Sequence, residues 1–375
     1  MNIRSNHQLI NREQSYVLDK RFVTIHSNDR DVKKNPFPNN FEITLPESLI
    51  NVESMRLAEI KMPSNYYSFS EDLQNTKFSF VFTSANTNWS STIQTLLTNP
   101  SQTFTVTIQS GFYRPEQLAS EITYRLNKVV TDYLVDNSQN VVYDKFTVFN
   151  DEVAMKMWFG NNSEGFALLF NERMPYTLQQ CEQPTAWDRY SEWGFGSYLG
   201  FEKQRYNSTS SNKELINGWA APAKEWLLFS TTPASTQVHY IQAPLVYKLM
   251  GENTIYMEVE KYNHIDELVP FSQSTNSLYN NDYNGTVKSA FAKIPITIVP
   301  YGQFFESLNG IIMSSTHFDP PLERVQKLKF RFRNHVGALV DFQDFPFNFT
   351  IEFNCLRNEI SKQYSVRIPT VHSFR

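Results

Sequence analysis

Residues 327–353 read KLKFRFRNHVGALVDFQDFPFNFTIEF, and this stretch decides the fold. In its first part Leu328, Phe330 and Phe332 alternate with four cations, Lys327, Lys329, Arg331 and Arg333. In its second part Phe345, Phe347, Phe349, Ile351 and Phe353 alternate with Pro346, Asn348, Thr350 and Glu352. Successive side chains on a strand point to opposite faces, so the pattern predicts two strands, each with one apolar and one polar face. We expect them to form a closing hairpin in a β-sandwich.

The bulk composition favours a β-rich protein with a large core. The chain has 375 residues, of which 30 are Phe and 19 are Tyr, and these residue types favour strands. It has only 12 Gly, which argues against a fold built on glycine-rich phosphate loops. The net charge of −4 provides no global field that would attract nucleic acid or an anionic membrane.

Neither targeting nor disulfide chemistry is indicated. The N-terminal residues lack the apolar run of a signal peptide, and the apolar runs elsewhere are too short to span a bilayer. Cys181 and Cys355 lie far apart in sequence, so we expect two buried free thiols. These features predict a chain made and kept in the cytosol, with no transmembrane segment.

The same alternation recurs along the chain and predicts many short strands. They fall at residues 22–25, 41–45, 52–62, 78–82, 104–108, 145–149, 154–159, 166–170, 255–259 and 292–299. Pro46 is expected to close the second of them, because proline has no N–H to donate to a sheet.

One helix is predicted to begin at Pro115. Proline is tolerated in a first turn, and Glu116 suits the positive end of the helix dipole. Leu118, Ile122, Leu126, Val129 and Tyr133 follow at helical spacing, which predicts an amphipathic helix of about five turns.

The predicted fold class is mainly β: a jelly-roll antiparallel β-sandwich with insertions and one amphipathic helix packed at the edge. The predicted domain bounds are an N-terminal arm (1–18), a jelly-roll domain (19–357) and a C-terminal tail (358–375). The domain carries insertions at about 171–240, rich in aromatics, and at about 270–287, rich in polar residues.

Catalytic and metal-binding patterns are absent from the sequence. No two of the seven histidines have metal-ligand spacing, and the nearest approach is His317 with Asp319 before two prolines. There is no phosphate loop, no nucleophile elbow and no paired zinc-protease motif. We therefore predict no catalytic residue, no cofactor, no metal site and no enzyme activity.

Glycines at 194, 196 and 200 resemble a dinucleotide-binding loop but lack its context. Such a loop needs a strand before it and an apolar-striped helix after it, and residues 201–207 (FEKQRYN) carry no such stripe. We interpret the string as a tight turn flanked by aromatics.

The cation row of Lys327, Lys329, Arg331 and Arg333 is a candidate partner contact. Its functional reading is a surface for an acidic or phosphate-bearing partner. The alternative reading, which we favour, is a solvated face opposite Glu258 and Glu260 on another strand. An acid–base role for those two glutamates is disfavoured, because adjacent acids on one strand face do not oppose each other across a cleft.

Trp187 and Trp193 are the other candidate partner contacts. They lie in the aromatic-rich insertion, and aromatic residues are enriched in the centres of protein interfaces. We expect them to be exposed, so that they could also stack on sugar rings.

Several strings, in order, resemble structural proteins of large icosahedral DNA viruses of eukaryotes. They are YVLD (16–19), VTIHSNDRD (23–31), FEITLP (41–46), NVESMRL (51–57), YLGF (198–201), SAFAKIP (289–295), LVDF (339–342) and FNFTIEF (347–353). The resemblance spans residues 16–357 and implies a jelly-roll capsid protein other than the major capsomer. Its expected role is a vertex (penton) subunit or a minor capsid protein between capsomers.

The resemblance also implies the partners and the location. The expected partners are the major capsid protein, other minor capsid proteins and, at a vertex, further copies of the chain in a pentamer. The expected location is the virion, after assembly in the host cytoplasm. The alternatives are a carbohydrate-binding, lectin-like jelly roll and a nucleic-acid contact through the basic strand; the acidic net charge argues against specific nucleic-acid binding.

Overall fold

A computed structural model describes residues 18–63, 67–177, 185–189, 191–212, 237–251, 253–269, 286–296, 304–307, 314–335 and 337–356. The predicted arm and tail, apart from Leu18, and most of the polar insertion lie outside these residues. The chain divides into two compact units. The first comprises Met1–Asn65, Asn253–Val269 and Gly285–Arg375, and the second comprises Tyr66–Glu252 and Pro270–Asn284.

Strands dominate both units. In chain order they are β1 (Leu18–His26), β2 (Asn40–Pro63), β3 (Lys77–Phe82), β4 (Phe104–Thr107), β5 (Phe146–Asp151), β6 (Lys156–Asn161), β7 (Phe166–Leu169), β8 (Arg205–Asn207), β9 (Thr209–Asn212), β10 (Gln237–Gln242), β11 (Thr254–Val259), β12 (Ile265–Val269), β13 (Thr286–Ala290), β14 (Ala292–Pro295), β15 (Phe304–Ser307), β16 (Thr316–Arg333) and β17 (Asn348–Leu356). The α-helices are α1 (Ser91–Leu97), α2 (Pro115–Asp136) and α3 (Phe195–Tyr198).

The first unit is built around the long strand β2. Its main sheet has the order β1-β17-β2-β16-β11-β14, with β15 also paired to β2, and β12 and β13 form a separate ribbon. The predicted closing hairpin is wrong, because β16 and β17 lie on opposite sides of β2. Their connection is no tight turn; it packs Val340, Phe342 and Phe347 into the core instead.

The strand β2 bends until its two ends face each other. Phe41 pairs with Phe330, and Ile60, near the other end of β2, pairs with Phe349. A straight strand would separate positions 41 and 60 by roughly 60 Å. The rings of Phe41 and Phe349 are nevertheless 6.5 Å apart, centroid to centroid. One sheet is therefore folded into two layers that share an apolar core.

The prediction that Pro46 ends a strand is wrong. The structure has one strand of 24 residues where the sequence predicted two strands separated by this proline. The ladder with β16 shifts register between Lys327↔Thr44 and Val325↔Leu49, so Pro46 occupies an irregular stretch where no ladder N–H is required. Asn51 follows with φ of +52°, at the point where the strand enters its second half.

The second unit contains two four-stranded antiparallel sheets, β4-β3-β7-β8 and β5-β6-β10-β9. Aromatic side chains join them across a common core. The ring of Phe146 lies 5.1 Å from that of Phe80 and 5.2 Å from that of Phe166, and Phe78 lies 6.1 Å from Phe159. This unit is a β-sandwich.

Helix α2 closes one side of that sandwich. It packs against β4 and β5, which are edge strands of the two sheets, as predicted for the amphipathic helix. Its buried residues are Leu118, Ala119, Ile122, Leu126, Val130 and Leu134. The predicted stripe differs from the buried face in the last turns: burial continues at four-residue intervals to Val130 and Leu134, whereas Val129 and Tyr133 are only partly buried against the core.

The predicted fold class is confirmed: the chain is mainly β, with antiparallel sheets and few helices, consistent with a jelly-roll β-sandwich. The predicted bounds of one domain at 19–357 with two insertions stay a prediction. Cys355 is buried as expected, and Cys181 lies outside the described residues.

Candidate functional site: the strand surfaces and the aromatic insertion

Three of the four cations in the predicted row are solvent-facing and paired within the sheet. Ion-pair distances are 3.4 Å for Lys327 with Glu42, 3.2 Å for Lys329 with Glu260 and 3.8 Å for Arg331 with Glu258. The prediction that Glu258 and Glu260 oppose these cations is confirmed. Exposed pairs of this kind stabilise a fold by only about 0–1 kcal/mol.

Arg333 differs from the other three because its side chain is only 2% exposed. Its guanidinium contacts the carboxylates of Glu258 and Glu267, and the ring of Tyr256 lies 5.1 Å from the guanidinium carbon. The prediction of four equivalent surface cations is therefore wrong for Arg333. The reason is Glu267 on β12, a strand distant in sequence that covers the end of the row.

His335, which is about one-third exposed, joins Arg333, Glu258 and Glu267 to form what we call the buried cluster. Its Nδ1 lies 3.0 Å from Glu267 Oε2. The four row cations face four glutamates: Glu42, Glu258, Glu260 and Glu267. Because these charges balance, the row creates little net positive field, and this argues against nucleic-acid binding there. The role of the four cations in partner contact stays a prediction.

A second buried carboxylate, Glu352 on β17, joins three neighbouring strands. Its side chain is 2% exposed, with Lys20 of β1 at 3.2 Å and the Nε of Arg56 of β2 donating at 2.7 Å. Burial raises the pKa of this carboxyl, but the hydrogen bonds and charges of Arg56 and Lys20 outweigh burial and lower its pKa overall. The alternation predicts Glu352 on the polar face of a strand, and the structure buries its side chain there.

Trp187 and Trp193 do come together, but not as an exposed platform. Their ring centroids lie 5.5 Å apart in an edge-to-face arrangement, with Trp193 only 6% exposed and Trp187 half-buried. The Lys203 ammonium lies 5.2 Å from the Trp187 ring centroid, and burial lowers the pKa of Lys203. The premise of the carbohydrate-binding alternative, that both rings are exposed, is wrong for Trp193.

The glycine string forms the expected tight turn. Gly194 precedes the four-residue helix α3, and Gly200 follows it with φ of +84°. A side chain at Gly200 would collide with the carbonyl of Leu245, whose N–H donates to Gly200 O at 3.0 Å. No apolar-striped helix follows within residues 201–207, as expected.

Two adjacent loops of the first unit present large apolar side chains to solvent. Val32 and Phe37 are 56% and 62% exposed on loop 27–39, and Phe345 is 51% exposed on loop 338–347. The loops are joined at one end by hydrogen bonds between Ser27 and Phe347, and at the other by the Asn39 amide donating to Val340 O at 2.9 Å. We call Val32, Phe37 and Phe345 the two-loop surface.

Arg30 braces the first of these loops, which carries Val32 and Phe37. Its guanidinium donates to the carbonyls of Ser27 at 2.7 Å and of Asn35 and Pro36 at 3.1 Å each. An ordered loop loses less conformational entropy when a partner binds. The arrangement can therefore bind an apolar partner surface at low entropic cost.

Within the described ranges, no group of three or more His, Cys, Asp or Glu side chains could hold a metal ion. None of the helices in that same part of the chain is long and apolar enough to cross a membrane. His317 approaches Ser315, with its Nε2 3.2 Å from the hydroxyl.

The chain is similar to known proteins in structure only. No protein-family model matches the chain, and no curated protein matches it in a sequence search. Among solved structures, the mavirus penton protein matches with a TM-score of 0.36 and 11% identity, over 90% of this chain and 99% of that one. A chain in a structure of the Sputnik virophage matches with a TM-score of 0.36 and 10% identity, over 90% of this chain and 98% of that one.

Proposed function

We propose that this protein is a structural component of an icosahedral viral capsid that acts through protein–protein contacts. Its role is that of a non-major capsid protein, either a vertex (penton) subunit or a minor capsid protein between capsomers. Its partners are the major capsid protein and other minor capsid proteins. It resides in the virion and assembles in the host cytoplasm.

The two-loop surface is the observation that carries this proposal. Exposed aromatic side chains on braced loops are typical of interface anchors, because they bury a large apolar area without needing to be ordered first. The ordered strings quoted above provide the viral context. A specific contact at this surface should bury more than about 1,000 Å² in total.

The direct test is to look for the chain in purified, detergent-washed virus particles by quantitative mass spectrometry. We expect it at a fixed ratio to the major capsid protein, because a lattice position fixes the copy number. Its absence from washed particles, with the major capsid protein retained, would contradict a structural role.

Native mass spectrometry of the purified chain separates the two positions in the shell. A five-fold ring supports the vertex role, and a monomer or dimer supports the role between capsomers. The control is the same measurement at raised salt, which weakens exposed ion pairs but strengthens apolar contacts.

A further inference from the structure

The aromatic insertion of the second unit encloses a pocket that the proposed function does not use. Its volume is about 180 Å³. Trp187, Trp193, Tyr176, Phe78 and Phe170 contribute to its walls. Gly194 lines it without a side chain, so a glycine of the string discussed above helps to leave the space open.

The walls are braced before any ligand arrives. The Tyr176 hydroxyl accepts hydrogen bonds from the N–H groups of Thr76 at 3.0 Å and Lys77 at 2.7 Å. Lys203, outside the lining, donates to the carbonyls of Trp187 and of Arg189, the latter at 2.7 Å. A pocket held open by such contacts loses little conformational entropy when a ligand binds.

The floor is a set of packed rings. Phe78 stacks on Phe195 with centroids 5.2 Å apart and lies 6.1 Å from Phe170, which in turn meets Trp193 at 6.1 Å. Phe78 and Phe195 are 1% exposed and Phe170 is 3% exposed, so these rings form a closed floor. An added ring meets mainly Trp193 and the half-buried Trp187 and Tyr176. An aromatic pair contributes about 0.5–1.5 kcal/mol beyond the area that it buries.

Size and rim polarity define the ligand class. A cavity of roughly 150 Å³ lined by apolar side chains is known to accept one benzene ring, so the present volume fits one ring with a short attachment. The rim carries Lys77, Glu172 and Arg173. Lys77 pairs with Glu71 at 3.0 Å and Arg173 donates to Thr185 at 3.2 Å, so the rim is polar but already partnered.

We propose that the pocket between Tyr176, Trp187 and Trp193 binds a single flat aromatic ring, carried by a small molecule or by a side chain of another protein. The polar rim faces the group to which the ring is attached. The braced aromatic walls select a flat ring over a saturated one, because only a flat ring makes edge-to-face contacts with several of them.

Binding is tested on the full chain with fluorine-labelled indole, followed by fluorine NMR. We expect saturable binding with a Kd on the order of 1 mM, the range for a ligand of this size. Cyclohexanol and methyl glucoside should not displace it. Absence of saturable binding, or equal displacement by cyclohexanol or the glucoside, overturns the proposal.

Two variants locate the binding. Met174→Trp places a large side chain from the rim into the pocket and should abolish binding, whereas Met250→Trp, at a site that is 53% exposed and outside the lining, should leave the Kd unchanged. Trp187→Ala should weaken binding by about 3- to 10-fold through loss of one wall. Unchanged binding in Met174→Trp, with melting temperature preserved, overturns the proposal.

N-acetyl-L-tryptophanamide distinguishes the source of the ring. If it binds more tightly than indole, the rim recognises the peptide unit and the ring is a partner's side chain. If indole binds more tightly, the ligand is a free aromatic molecule. Either order supports the ring site.

Discussion

At the residue scale, buried carboxylates matter more than the exposed charge row. Glu352 lies almost without exposure between Lys20 and Arg56, and Glu267 is buried against Arg333 and the ring of His335. The alternation pattern predicts a strand at Glu352 but none at Glu267, and it indicates the burial of neither, because burial depends on strands that are distant in sequence. The alternation that predicts a polar face does not reveal what covers that face.

The substitution Glu352→Gln should make the free energy of unfolding less dependent on pH. Because the folded-state pKa of Glu352 is lowered, its stabilisation is present above the unfolded-state value of about 4.3 and is lost as pH falls through the folded-state pKa. The variant should lose about 1–3 kcal/mol of unfolding free energy at pH 7 and approach the native chain near pH 2. Urea unfolding across pH measures this.

The control is Glu47→Gln, because Glu47 is 80% exposed and pairs only loosely with Arg21 at 3.5 Å. It should change stability by less than about 0.5 kcal/mol at any pH. Parallel pH profiles for Glu352→Gln and the native chain would contradict the role of Glu352.

Arg333→Met and Arg331→Met test the buried cluster with the same substitution two positions apart. Arg333→Met leaves Glu267 buried beside His335 without its guanidinium partner and should cost about 3–5 kcal/mol in denaturant unfolding. Arg331 is 47% exposed, so its loss should cost no more than about 1 kcal/mol. Equal losses of unfolding free energy in the two variants would show that burial does not add to the stabilisation by Arg333.

At the element scale, the sequence located most strands but not the way in which they join. Period-two alternation identified β3, β5, β6, β7, β11 and β17 to within a few residues. It did not show that β2 continues past Pro46, since a proline usually ends a strand unless the ladder is irregular there. Nor could it place β2 between β16 and β17, because strand order depends on contacts between distant segments.

Asn51 tests the bend in β2. Asn51→Val should destabilise the chain by about 1–2 kcal/mol, because a β-branched residue is strained at φ of +52°. Asn51→Gly is the matched control and should be close to neutral, since glycine accepts this backbone freely. If both variants unfold at the same denaturant concentration, the backbone at this position is not strained for valine.

At the scale of the whole molecule, the sequence predicted the β-rich class and the helix at a sandwich edge, but not which aromatic side chains are exposed and which are buried. The alternation predicts Phe345 on the apolar face of a strand, but its side chain is exposed on a loop. Trp187 and Trp193, predicted as candidate partner contacts, lie against each other and line a pocket, and their role in partner contact stays a prediction. Both outcomes depend on the loops between strands, where side-chain direction has no period.

The combined substitution Phe37→Ser and Phe345→Ser should reduce incorporation of the chain into particles several-fold, with the melting temperature within a few degrees of the native value. The reason is that both rings are exposed in the free chain and would be buried only against a partner. Quantitative mass spectrometry of washed particles measures the ratio to the major capsid protein.

Tyr124→Ser is the control for that substitution, because Tyr124 is an exposed aromatic residue on α2 in the other unit. It should leave incorporation unchanged. Normal incorporation of the double variant would remove the two-loop surface from the proposed function.

The bent strand β2 also has a mechanical consequence. Tension applied to one layer of the first unit travels through the covalent backbone of β2 into the other layer, so the layers cannot be peeled apart one after the other. Pulling this unit in an optical trap should therefore give a single rupture. If the chain acts in a capsid as proposed, this unit either stays intact or yields all at once when its neighbours pull on it.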